Sequence, residues 1–142
     1  VEEGIIDTLE LVRAATRAAW DAKAEDIAVI DITGRASYAD HIIVCSAQHA
    51  RHTAAVAAKI AECLKKDHGR LPLGTEGKQS GRWVLLDYGD FVVHVFERAQ
   101  RVHYDLDGLW ADAPRIALGD LGIDDAPDLG DMPPQPFSTA TG

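Results

Sequence analysis

The sequence predicts an α/β domain in which a mixed β-sheet is flanked by α-helices, followed by an extended C-terminal tail. Three observations carry this. Two segments repeat apolar residues at helical spacing, Ile5-Leu9-Val12 and Val56-Ile60-Cys63-Leu64. Short β-branched runs stand between and after them, at Ile27–Ile32, His41–Cys45, Trp83–Asp87 and Phe91–Phe96. Past Ile116 the composition turns to Asp, Gly and Pro. Helix, strand, strand, helix and hairpin in that order leave apolar faces that only a layered packing of helix on sheet can cover.

The first helix is expected over residues 3–22, where alanines fill the positions between the apolar stripe and Ala18, Ala19 and Trp20 extend it. Ile27–Ile32 reads as a strand that ends at Thr33-Gly34. His41–Cys45 is apolar at nearly every position, the pattern of a strand buried on both faces. Ser46 stands where a helix N-cap would, ahead of a helix over 49–66. Lys65, Lys66 and His68 suit the negative end of that helix, and Gly69 stops it. Residues 69–82 read as a loop with a short edge strand at Leu71–Leu73. Trp83–Asp87 and Phe91–Phe96, joined through Tyr88-Gly89-Asp90, read as a hairpin. In its second strand Phe91, Val93 and Val95 face one way and Val92, His94 and Phe96 the other. The domain is therefore assigned to residues 1–116, and residues 117–142 to an acidic, Pro- and Gly-rich tail.

With 142 residues the chain suits one domain. A mean hydropathy of -0.11 and the lack of any long apolar run predict a soluble protein without a membrane span. No basic stretch followed by an apolar one opens the chain, so no secretory signal is expected. Cys45 and Cys63, far apart and outside any C-x-x-C spacing, read as free thiols of a cytoplasmic protein. The net charge of -9 argues against binding led by nucleic-acid phosphates and for a basic partner. All 14 Lys and Arg precede Ala117, whereas the tail adds Asp120, Asp124, Asp125, Asp128 and Asp131, so part of the acidity belongs to the tail.

Chemistry-bearing residues are densest between Trp83 and Trp110: Trp83, Asp87, Tyr88, His94, Arg101, His103, Tyr104, Asp105, Asp107 and Trp110. Aromatics and Arg beside acids, near the apolar Leu106 and Leu109, have the composition of a protein-binding hot spot. Trp83 could equally be core. His49 and His52, three apart, could share a helix face, but no third ligand stands at a zinc-like spacing. His94 in a strand reads as a structural histidine, Cys45 in an apolar strand as an inert thiol, and Asp87 and Asp90 as turn residues. The segment from Thr75 to Gly81 lacks the Walker spacing and a following helix. No catalytic set, metal site or cofactor site is expected.

One ordered series of motifs resembles the ribosomal silencing factor family, also called the Iojap family. It comprises Lys23-Ala24-Glu25-Asp26-Ile27, Glu76-Gly77, Trp83 through Asp90, Val93-His94-Val95-Phe96, Arg101, Tyr104-Asp105-Leu106 and Leu109-Trp110. The resemblance covers about residues 5–116. It implies a nucleotidyltransferase-like fold that has lost catalysis. No Gly-Ser followed by paired aspartates, of the kind active nucleotidyltransferases use, is found. It also implies docking on ribosomal protein fourteen of the large subunit, at the intersubunit face. There the protein would block joining of the small subunit and lower translation when nutrients are scarce. A homodimer of the free protein is implied as well. Carried over by position, the docking residues are Trp83, Asp87, Tyr88, His94, Arg101, Tyr104, Asp105, Leu106, Asp107, Leu109 and Trp110. Tyr104, Leu106 and Trp110 would anchor, while Asp105 and Asp107 would face basic groups of the partner. Asp107 stands where the family has Glu, His41-Ile42 where it has an aromatic pair, and Ser46-Ala47 where it has Ser-Gly. The alternative is a metal-dependent nucleotidyl- or phosphoryl-transferase on the same fold, which would need gathered carboxylates.

Overall fold

The computed structural model describes residues 2–123, with side chains from Thr8 onward. Helix α1 spans Glu2–Asp21, β1 Glu25–Asp31, β2 His41–Ala47, α2 Ala50–His68, β3 Gly74–Glu76, β4 Trp83–Asp87 and β5 Phe91–Glu97. Two short helices follow, α3 Arg98–Tyr104 and α4 Leu106–Leu109, then β6 Arg115–Ile116 and a 3-10 turn at Leu118–Leu121. The strands form one six-stranded sheet in the order β3-β4-β5-β2-β1-β6. β2 and β5 run parallel at its centre, from His41 beside Phe91 to Ala47 beside Glu97, and every other pair is antiparallel. The sheet is thus mixed and flanked by helices, as expected.

Strand alternation divides the core in two. Val29, Ile43, Cys45, Val84, Leu86, Phe91, Val93 and Val95 point toward α1 and α2, whose Leu11, Val12, Ala15, Val56, Ile60 and Leu64 close over them. Burying this many aliphatic side chains, each worth roughly 1.5–3 kcal/mol, makes this layer the main source of stability. Ala28, Ile30, Ile32, Ile42, Val44, Val92 and Phe96 point to the opposite face, where Trp83, Leu85, Leu106 and Trp110 pack on them only in part. Among the described residues no long helix covers that second face. Among the described residues no helix is long and apolar enough to cross a membrane.

Three local expectations need correction. Ser46 does not cap α2: it lies inside β2, and His49 is the N-cap, its ring accepting from the His52 backbone N–H. The strand run simply continues two residues beyond Cys45, because the parallel partner β5 supplies hydrogen bonds as far as Ala47. The edge strand forms at Gly74–Glu76 and not at Leu71–Leu73, where Pro72 has no N–H to give a ladder. Finally, the residues directly after Ile116 join the body. Leu121 and Ile123 are buried against the α1–α2 layer, and Gly122 turns the chain at φ 78°. Two apolar side chains in an acidic stretch were enough to fasten it. The remainder of the tail, 124–142, lies outside the described residues.

Candidate functional site

The half-open second face collects most of the residues singled out in the sequence. On β4 the side chains of Trp83, Leu85 and Asp87 share this face and are each half-buried, whereas Val84 and Leu86 are sealed beneath the helices. On β5 Trp83 is opposite Phe96, and Leu85 is opposite His94. The Trp83 ring stacks on Phe96 at 5.0 Å between centroids and meets Tyr104 at 4.4 Å. Its indole N–H donates to Nδ1 of His94 at 3.0 Å, a diagonal contact across the hairpin. His94 is itself nearly covered, and burial, which disfavours its cation, pushes its pKa down to about 4.

The short helices α3 and α4 meet at Asp105. That residue takes the left-handed conformation at φ 49°, ending α3, while its carboxylate accepts from Gly108 N–H at 3.0 Å and starts α4. Asp tolerates this conformation better than most residues because its short side chain bonds locally. The cap also explains Gly108, since a Cβ there would stand 2.3 Å from the Asp105 carboxylate. The spacing Asp-x-x-Gly was visible in the sequence and is the signal that could have revealed the second helix. The result is an outward ridge on which Val102 and Leu109 are 79% and 65% exposed and Tyr104 is 46% exposed.

Arg101 fastens this ridge to the sheet. Its Nε and Nη2 make a two-pronged pair with Asp107, both at 3.0 Å, and Nη1 donates to the Ser46 hydroxyl at 3.0 Å and to the Asp26 carbonyl. That carbonyl is available because β1 bulges between Glu25 and Ala28, with Asp26 at φ 50°. Arg115 also reaches the Asp107 Oδ1, at 3.3 Å. Hydrogen bonds from Arg101, joined by the charges of both arginines, hold the Asp107 carboxyl below its ordinary range. So Asp107 meets basic groups of its own chain, where the sequence reading has it face those of a partner. A groove of about 620 Å³ runs past Asp26, Arg98, Arg101, Val102 and Arg115.

Tyr88 departs from the expected surface. It follows β4, turns to the helical side and is 1% exposed, stacked on Phe91 at 5.1 Å. Asp87 and Tyr88 thus lie on opposite sides of the sheet. Leu106 and Trp110 are half-buried on the second face, and Asp105 is exposed. A cleft of about 650 Å³ beside Trp83 and Tyr104 adds Glu76, Ser80, Arg82 and Gln100, which the sequence reading leaves out of the site. Glu76 ends β3 and Ser80 lies on the β3–β4 loop, which is drawn against β4 at Gly77, where a Cβ would stand 1.8 Å from the Trp83 carbonyl.

Asp87 accepts from Gly89 N–H at 2.8 Å and Asp90 from Thr8 at 3.3 Å, and among the described residues no three His, Cys, Asp or Glu side chains assemble as metal ligands. His52 is engaged on both nitrogens, with Gln48 N–H at 3.3 Å and the Ala22 carbonyl at 3.0 Å. Cys45 and Cys63 are free, and burial raises the Cys45 thiol to about 12.

The family model described as ribosomal silencing factor during starvation matches residues 5–138. The chain belongs to the ribosomal silencing factor family. It is 35% identical to the ribosomal silencing factor of Halalkalibacterium halodurans, over 77% of this chain and 92% of that one. The Bacillus subtilis silencing factor is 36% identical, over 80% of this chain and 94% of that one. A chloroplastic Iojap protein of Arabidopsis thaliana is 28% identical, over 82% of this chain but 46% of its own length. Among solved structures, a Chromobacterium violaceum protein superposes with a TM-score of 0.69 at 37% identity, covering 72% of this chain and 84% of that one. A Bacillus halodurans protein gives 0.67 at 31% identity, over 76% of this chain and 97% of that one. The silencing-factor match runs beyond Ile116, in keeping with the packed residues that follow it.

Proposed function

We propose that this chain represses translation by docking on the large ribosomal subunit through its protein fourteen, at the intersubunit face, so that the small subunit cannot join. Family membership supports the ribosomal target, and the acidity of the chain suits a basic partner. The observation that carries the docking surface is the incompletely covered second face. Trp83 and Tyr104 sit side by side there, next to an exposed ridge bearing Val102 and Leu109. Aromatic anchors surrounded by polar groups such as Glu76, Arg82, Gln100 and Asp105 are the usual make-up of an interface centre and its rim. The mechanism is steric. It needs occupancy alone, with no turnover and no cofactor. The protein acts in the cytoplasm under nutrient limitation, as a homodimer when free, with no sequence-specific nucleic-acid binding.

The test is co-sedimentation of the full chain with isolated large and small subunits near physiological salt, followed by subunit-joining assays. Saturable binding to the large subunit alone, lost on depleting protein fourteen, is the expected result. Tyr104→Ala should weaken it by roughly 2 kcal/mol or more, as truncation of a central anchor does. Binding to neither subunit would overturn the proposal.

A further inference from the structure

We infer that His94 is a positioning residue, which holds the Trp83 indole in the docking face by accepting its N–H and does not itself touch the partner. The inference rests on the reading that this face docks on the ribosome.

Trp83 needs something to hold it. Its ring lies at the head of β4 with one side on Phe96 and an edge against Tyr104. The torsion that turns an aromatic ring about its attachment is broad and nearly two-fold. Stacking on Phe96 alone supplies no polar contact that would select one flipped orientation over the other. The single polar atom does distinguish them. Indole nitrogen is a donor only, and a covered donor without an acceptor costs about 1–3 kcal/mol. Nδ1 of His94 is the acceptor in one orientation, at 3.0 Å. With the N–H satisfied from within, the rest of the ring is left as an apolar surface for a partner.

His94 is placed to do this and little else. It is 8% exposed, its ring 5.7 Å from Trp83 and stacked on Phe96 at 6.0 Å. Its lone pair must stay free, so the imidazole has to be neutral with the proton on Nε2. Burial secures that through the pH range of a living cell. A residue so covered has almost no surface to give a partner, yet any change in it passes directly to Trp83 and on to Tyr104.

The experiment uses the full chain labelled with 15N, whose Trp83 indole resonance is assigned by its loss in Trp83→Phe, together with large-subunit co-sedimentation. His94→Leu keeps the bulk and removes the acceptor. It is expected to move the Trp83 indole resonance and weaken subunit binding roughly fivefold to tenfold, the worth of one hydrogen bond. His94→Asn sets an amide oxygen near the place of Nδ1 and is expected to restore both. In a Trp83→Phe background, which has no N–H to hold, His94→Leu should add nothing further to the binding loss. Dispersed backbone amide spectra report that each variant is folded. An indole resonance unmoved by His94→Leu would overturn the inference. So would an additive binding loss in the double variant, since His94 would then act on the partner directly. If the unaltered chain failed to bind the large subunit, the docking reading and this role in it would fall together. The indole spectra would still report, separately, whether His94 holds the ring.

Discussion

The burial of His94 ties the stability of the fold to pH in a way that can be worked out from the site. An imidazole of pKa 6.5 in ordinary surroundings is pushed down to about 4 here because burial disfavours its charged form. Above pH 6.5 the ring is neutral in folded and unfolded chains alike, and its contribution does not vary. Between 6.5 and 4 the unfolded chain takes up the proton while the folded chain refuses it, so stability falls as pH falls. Below 4 both are protonated and the loss is complete. One pKa unit corresponds to about 1.4 kcal/mol, so this single ring removes about 3 kcal/mol between neutrality and pH 4. Other groups act in acid as well, among them Asp31 and Asp107, whose lowered carboxyl pKa values stabilise the fold above their ordinary range and cease to do so as they protonate. They are common to the unaltered chain and to His94→Asn, and they cancel in the difference. Urea unfolding of both proteins, followed by circular dichroism at half-unit steps from pH 7.5 to 4, as suits a shift of this size, gives that difference. The gap in unfolding free energy should change by about 3 kcal/mol across the window, with the unaltered chain losing more. Parallel curves would refute the reasoning, because they would mean that His94 titrates alike in both states.

Further outcomes follow from the same geometry. Gly77→Ala places a Cβ 1.8 Å from the Trp83 carbonyl at φ 85°, and should cost roughly 2 kcal/mol or more in denaturant unfolding, whereas Gly119→Ala, which meets nothing within 4 Å, should stay within about 0.5 kcal/mol. Arg101→Ala strips the ridge of its ties to Asp107, Ser46 and Asp26, and should destabilise by about 2 kcal/mol, less than for a fully buried pair because Asp107 keeps some solvent. A thiol reagent should modify Cys63 in the native protein and leave Cys45, fully buried with its thiol raised to about 12, until the chain unfolds; labelling of both at equal rates would contradict the packing. Leu109→Asp, on a side chain 65% exposed, should leave unfolding unchanged within about 0.5 kcal/mol while weakening large-subunit binding; unchanged binding would move the docking surface elsewhere.

Periodicity made the main layers legible, because amphipathic helices and buried strands write their faces into the sequence. The alternation in β5, with Phe91, Val93 and Val95 on one side and Val92, His94 and Phe96 on the other, held residue for residue. What stayed hidden was set by partners distant in the chain. Ser46 resembles a helix cap until β5 extends its strand and Arg101 claims its hydroxyl. β6, two residues long, exists only because β1 offers Val29 and Ile30 as an edge. Leu121 and Ile123 carry no periodic signal, yet the space beside α1 and α2 fixes them. The site divides on the same principle. The aromatic, acidic and basic residues between Trp83 and Trp110 could be collected from composition and from the family motifs. Whether each reaches outward, holds a neighbour or fills the core depended on strand parity and on contacts such as Arg101 to Asp107.

That division changes what the motif residues have in common. Trp83, Tyr104 and Leu109 reach the surface; His94, Arg101 and Asp107 hold those that do; Tyr88 closes the opposite layer. On the proposed docking reading a partner would meet a Trp83 ring held by its hydrogen bond to His94 and a ridge tied to the sheet through Arg101, so less freedom would remain to be lost on binding, a cost of about 0.5–1.5 kcal/mol for each side chain left loose. For a factor whose proposed action requires only that it stay in place, such preorganisation acts on residence time. On that reading, substitutions of the holding residues should raise the dissociation rate much as substitutions of the anchors do.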